Sequence, residues 1–102
     1  MRLTTKQLAI IKTCFTEAFL KEDHLWLFGS RVDDSKRGGD IDLYIETHCD
    51  DIKKADSRRS TFWIELQEHL GEQKIDIIVK VLAQNKTLRI YQEARDTGIL
   101  LV

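Results

Sequence analysis

Two aspartates one residue apart, Asp40 and Asp42, lie downstream of a Gly-Ser pair, in Leu25-Trp26-Leu27-Phe28-Gly29-Ser30-Arg31 and Gly38-Gly39-Asp40-Ile41-Asp42-Leu43-Tyr44-Ile45. In an extended strand residues i and i+2 share a face about 6.6 Å apart, so Asp40 and Asp42 offer paired oxygen ligands while Ile41, Leu43 and Ile45 face the other side. Hard oxygens of this kind suit Mg²⁺, and such a pair can hold two ions in the arrangement used for in-line displacement at phosphorus. Gly29 has no Cβ and lets the backbone approach phosphate oxygens, while Ser30 adds a hydroxyl and an N–H. The substrate that fits both halves is a nucleoside triphosphate, whose dense negative charge admits two carboxylates only with divalent cations between them.

Either half alone is ordinary, since the chain is rich in aspartate and Gly-Ser is common turn material. The combination is more specific because Gly29-Ser30 directly follows an apolar run without helical period and the aspartates open a second, alternating run. Arg31, next to Ser30, is placed to meet a β- or γ-phosphate with a guanidinium fork suited to that contact.

The elements that position these residues read as α-β-(loop)-β-α-β-α-β. Thr4 or Thr5 caps a helix running to about Lys21, with Leu8, Ile11, Phe15, Ala18 and Phe19 on one stripe. Leu25 to Phe28 is a short strand buried on both faces, and it delivers Gly29 to a strand end. Residues 31 to 39 read as a polar loop containing Gly38-Gly39 and one helical turn after Ser30. Asp40 to Glu46 is the second strand. A helix from Asp56 or Ser57 to Leu70 turns Phe62, Trp63, Leu66 and Leu70 inward and stops at Gly71. Lys74 to Val81 is the third strand, Lys86 to Asp96 a third helix, and Ile99-Leu100-Leu101-Val102 either an edge strand or part of a partner interface. This pattern predicts a small α/β fold, a mixed β-sheet with helices packed on it.

These residues resemble the minimal nucleotidyltransferase domains of the DNA polymerase β-like superfamily, whose pattern is Gly-Ser, a loop of this length, Asp-x-Asp and a third carboxylate on a later strand. The resemblance covers nearly the whole chain, although only the motifs are specific, and it implies a single minimal nucleotidyltransferase domain over residues 1–102. It makes Asp76, in Lys74-Ile75-Asp76-Ile77-Ile78-Val79, the third carboxylate. The implied catalytic and metal-binding set is Asp40, Asp42 and Asp76, with two Mg²⁺ ions, and the implied nucleotide-binding set is Gly29, Ser30, Arg31 and Gly39. Only adjacent, in-register pairing of the second and third strands puts Asp76 beside the other two. Two positions depart from the pattern: Gly39 stands where serine is frequent before the first aspartate, and Asp34 stands where a loop glycine is frequent. Neither change removes a metal ligand.

Composition bounds the rest. With 102 residues, no proline, 42% hydrophobic and 32% charged residues, the chain reads as one soluble globular domain with no room for a second. The first residues lack a signal-peptide core and no apolar stretch reaches membrane-spanning length, so a cytoplasmic protein is expected. Cys14 and Cys49 read as reduced thiols, and His48-Cys49-Asp50 as a solvated loop rather than a zinc site. A net charge of −1 argues against nucleic acid as the partner and makes an end-modifying transferase the weakest reading. Arg31, Lys36 and Arg37 form a basic group in the loop, and Lys53, Lys54, Arg58 and Arg59 another before the second helix. The acceptor site must come from another chain or a second copy of this one. The resemblance points to a small all-helical HEPN protein, paired as toxin and antitoxin, that receives AMP on a tyrosine or similar hydroxyl. The alternative is a nucleotide-binding partner that masks the HEPN protein without turnover.

Overall fold

The computed structural model describes residues 1–33 and 39–102, so the expectations placed on Asp34, Lys36, Arg37 and Gly38 lie outside the described residues. Helix α1 spans Thr5–Ala18 and starts from a capping box in which the Thr4 hydroxyl accepts from the Gln7 amide and the Gln7 side chain accepts from the Thr4 amide. It ends at Ala18 rather than near Lys21. Phe19 turns extended to stack on Phe15 and meet Phe62 edge-on, and Asp23 takes the Leu20 amide that another helical turn would have used.

Strand β1 is His24–Phe28, followed by a 3-10 turn over Gly29–Val32, and strand β2 is Ile41–Thr47. Helix α2 covers Ile52–Leu70, strand β3 Ile75–Val81, helix α3 Arg89–Thr97 and strand β4 Ile99–Leu100. The sheet order is β3-β2-β1-β4, with β1 antiparallel to both of its neighbours and β2 parallel to β3. The chain thus builds a small mixed sheet with helices packed on it. Its final residues form an edge strand, with the Leu101 amide donating to the Leu25 carbonyl.

Strand alternation splits the core in two. Leu25 and Leu27 of β1 and Leu43 and Ile45 of β2 pack with Ile11, Phe15, Phe62 and Leu66 of α1 and α2. On the opposite face, Trp26 and Tyr44 pack under Ala94 and Tyr91 of α3. Both inner strands are therefore buried on two faces, as read for β1 but not for β2, whose alternation of apolar and polar residues hid Tyr44 and Thr47 as buried positions. No described helix is long and apolar enough to cross a membrane.

Three further expectations are corrected. Helix α2 begins one turn early because the Asp51 carboxylate caps the Lys53 and Lys54 amides, so the second basic group lies inside the helix rather than before it. Trp63 is 42% exposed, because the helical period that buries Phe62 and Leu66 turns it outward. The segment after β2 is a loop in which His48 and Asp50 are exposed as expected, but Cys49 is buried with Ala55 and Val81, and the His48 amide donates to Asp23.

Candidate functional site at one end of the sheet

Antiparallel pairing of β1 with β2 sets Phe28 opposite Asp42, so Gly29-Ser30 leaves the sheet at the end where the aspartates enter it. Parallel pairing sets Ile41 opposite Ile75 and Asp42 opposite Asp76. The adjacency and register that the third carboxylate requires are both present, and alternation turns Asp42 and Asp76 to the same face.

The glycine has two reasons to be glycine. Its φ is +77°, and a Cβ there would collide with the Asp42 carboxylate, so loop backbone and aspartate oxygens are in direct juxtaposition. Gly39, at φ +91°, has the Ser30 hydroxyl where its Cβ would stand. A hydroxyl therefore lies against residue 39 although that residue carries none.

Asp40 faces a cation already: Lys74 Nζ lies 3.4 Å from its Oδ2. Asp42 is half-buried, and its carboxyl is raised above the usual range by burial, then by the charges of Asp76 and Asp40, and further by a hydrogen bond to Asp76; Lys74 opposes the rise. Asp76, on edge strand β3, is exposed. The three carboxylates are neighbours, Asp42 feeling both of the others, but among the described residues their oxygens do not converge within 4.8 Å as a set of three, and the ammonium of Lys74 answers part of their charge.

Arg31 makes main-chain contacts. One guanidinium nitrogen donates to the Arg2 carbonyl at 2.9 Å and another to the Gly39 carbonyl at 3.4 Å, while its buried Nε has no partner. The side chain thus ties the start of the chain to the residue before Asp40. Arg2 completes this brace, donating to the carbonyls of Ser30 and Asp33, and its amide bonds Arg31 O. No local sequence pattern announces Arg2, which acts across 28 residues. Lys74 had a signal: it stands two residues before Asp76, immediately ahead of β3.

A cleft of about 550 Å³ runs between α2 and β3, lined by Arg59, Trp63, Ile64 and Asp76 among others, and of the three aspartates only Asp76 reaches it. At the other end of β2, Asp23, only 1% exposed, accepts from the Thr47 hydroxyl at 2.6 Å and from the amides of His48 and Leu20. Burial alone would raise its carboxyl; these bonds, with one to the His48 ring, more than reverse that and hold it below the usual range. This node fastens the α1–β1 turn to the far end of β2 and belongs to the scaffold.

No family model matches this chain, and no curated protein matches it either.

Proposed function

We propose that the chain is a Mg²⁺-dependent nucleotidyltransferase that moves AMP from ATP onto a hydroxyl of a partner protein. The observation that carries this reading is the in-register pairing of Asp42 with Asp76 at the sheet end where Gly29-Ser30 emerges. A scaffold has no need to gather three carboxylates at one strand end, where they destabilise one another.

In this reading Asp40 and Asp42 hold the metal, and Asp76 completes the set on the acceptor side. The chemistry that bound Mg²⁺ supplies is charge neutralisation at the triphosphate and at the departing pyrophosphate. Ser30 donates its hydroxyl and Gly29 leaves room for phosphate oxygens, while Arg31 and Arg2 keep that turn in place and add positive charge behind it. The acceptor oxygen bonds to the α-phosphorus as the bond to pyrophosphate breaks, and the hydroxyl proton passes to solvent. The cleft along Trp63 and Ile64 opens beside Asp76 and offers the acceptor segment a place to lie. The partner is the small helical HEPN protein that the sequence resemblance implies, and the pair works in the cytoplasm as toxin and antitoxin.

The test is to incubate the purified protein with Mg²⁺, labelled ATP and the protein encoded beside it. Label should pass to that protein and vanish with Asp40→Ala plus Asp42→Ala; undiminished transfer by this double variant rejects the reading. A second reading, a nucleotide-binding partner without turnover, draws support from Arg31, whose guanidinium is engaged by main-chain carbonyls. It predicts bound nucleotide and no labelled protein.

A further inference from the structure

Between α1 and α2, on residues the aspartate site does not use, three different ligand types converge. Cys14 Sγ, a Glu65 carboxylate oxygen and a His69 ring nitrogen all lie within 4.8 Å of one another. Glu65 and His69 are one helical turn apart, with His69 Nε2 3.3 Å from Glu65 Oε2, while Cys14 reaches them from the neighbouring helix. The sulfur is buried, but it lines a hollow of about 340 Å³ together with His69 and Glu17, so the cluster is open on one side. Neither helix needs this trio for its own formation: α1 is capped by Thr4 and α2 by Asp51 and Gly71.

We propose that Cys14, Glu65 and His69 form a binding site for a thiophilic divalent cation of the zinc class, which clamps α1 to α2. The donor set decides the class. One sulfur, one imidazole nitrogen and one carboxylate oxygen match a tetrahedral ion of borderline softness, whereas Mg²⁺ and Ca²⁺ select oxygens alone. Three protein ligands leave the fourth position to water from the hollow or to Glu17. On binding, the Cys14 thiol gives its proton to solvent and the sulfur–metal bond forms in its place, with the imidazole neutral. The site is separate from the aspartates and stands or falls independently of nucleotidyl transfer.

The test uses the chelator-treated full chain and Co²⁺ as a coloured probe for the zinc site. A thiolate-to-cobalt charge-transfer band should appear at one equivalent and bleach on adding Zn²⁺. It should disappear in Cys14→Ser and persist in Cys49→Ser. His69→Gln should weaken cobalt binding by at least about tenfold, since a lost ligand costs no less than a lost outer-shell partner. His69 and Glu65 are partly exposed, so His69→Gln and Glu65→Gln keep the test open if the Cys14 variant fails to fold. No band in the native chain, a band that survives Cys14→Ser, or affinity unchanged in both His69→Gln and Glu65→Gln overturns the proposal.

Discussion

Replacing Asp42 by asparagine should make the metal-free protein more stable while removing its response to Mg²⁺. The substitution keeps the shape of the side chain that packs on Gly29 and deletes one of three clustered negative charges. Asp42 and Asp76 are paired across neighbouring strands whose backbones lie about 5 Å apart, a spacing taken for their charges. At that separation two unit charges repel by about 3 kcal/mol at an effective dielectric of 20 and by under about 1 kcal/mol in water. Asp76 is exposed, so the lower end applies, and the expected gain is about 1 kcal/mol. For a chain of this length that raises Tm by about 4–8 °C. The pH dependence has a definite sign. A carboxyl raised in the folded state favours folding while it is protonated, and that contribution is lost as pH climbs through the raised value. The advantage of Asp42→Asn should therefore be absent in acid, appear above the ordinary carboxylate range and persist at neutrality. Thermal unfolding in EDTA and in Mg²⁺ across a pH series reads all of this. Equal or lower Tm for the variant in EDTA at every pH, or an equal Mg²⁺ increment in both proteins, refutes the reasoning.

At the scaffold node the sign reverses. Asp23→Asn removes a charged acceptor from buried partners and should cost about 2 kcal/mol, lowering Tm by roughly 10 °C near neutral pH. Because the Asp23 carboxyl is depressed in the folded chain, its contribution is complete above the ordinary carboxylate range and fades as pH falls, so native and variant melting curves should converge in acid. Gly29→Ala puts a side chain at positive φ against Asp42 and should cost about 1–3 kcal/mol together with the Mg²⁺ response, both measurable by calorimetry. Arg31→Ala should weaken ATP binding more than AMP binding if its charge reaches the outer phosphates; equal loss, by equilibrium dialysis, assigns it to the brace alone. Asp76→Asn should lower turnover more than nucleotide affinity, and an equal fall in both makes it a shared metal ligand.

The sheet and the adjacency of Asp42 and Asp76 were legible because their signals are local. An apolar run ending in Gly-Ser, and an aspartate pair opening an alternating run, each sit within a few residues and map directly onto β1 and β2. The start of α2 was not, because Asp51 and Asp56 are both credible caps and only the burial of Ala55 beside Cys49 and Val81 decides between them. Trp63 was misplaced because size suggested core where helical phase puts it outside. Arg2, which braces the Gly29–Val32 turn, and Cys14, which meets Glu65 and His69, act across tens of residues. No spacing rule reports such contacts before the fold is known.

Strand β3 closes one side of the sheet, and its free edge carries Ile75, Ile77, Ile78, Val79 and Val81 with only two charges, Asp76 and Lys80. An apolar strand with an unpaired edge invites another chain to add to it, and charges along it are what discourage self-association. Asp76 is the more exposed of those two charges. A variant that neutralises it leaves Lys80 as the strand's one charge, so lost activity in such a protein has to be read alongside its light scattering.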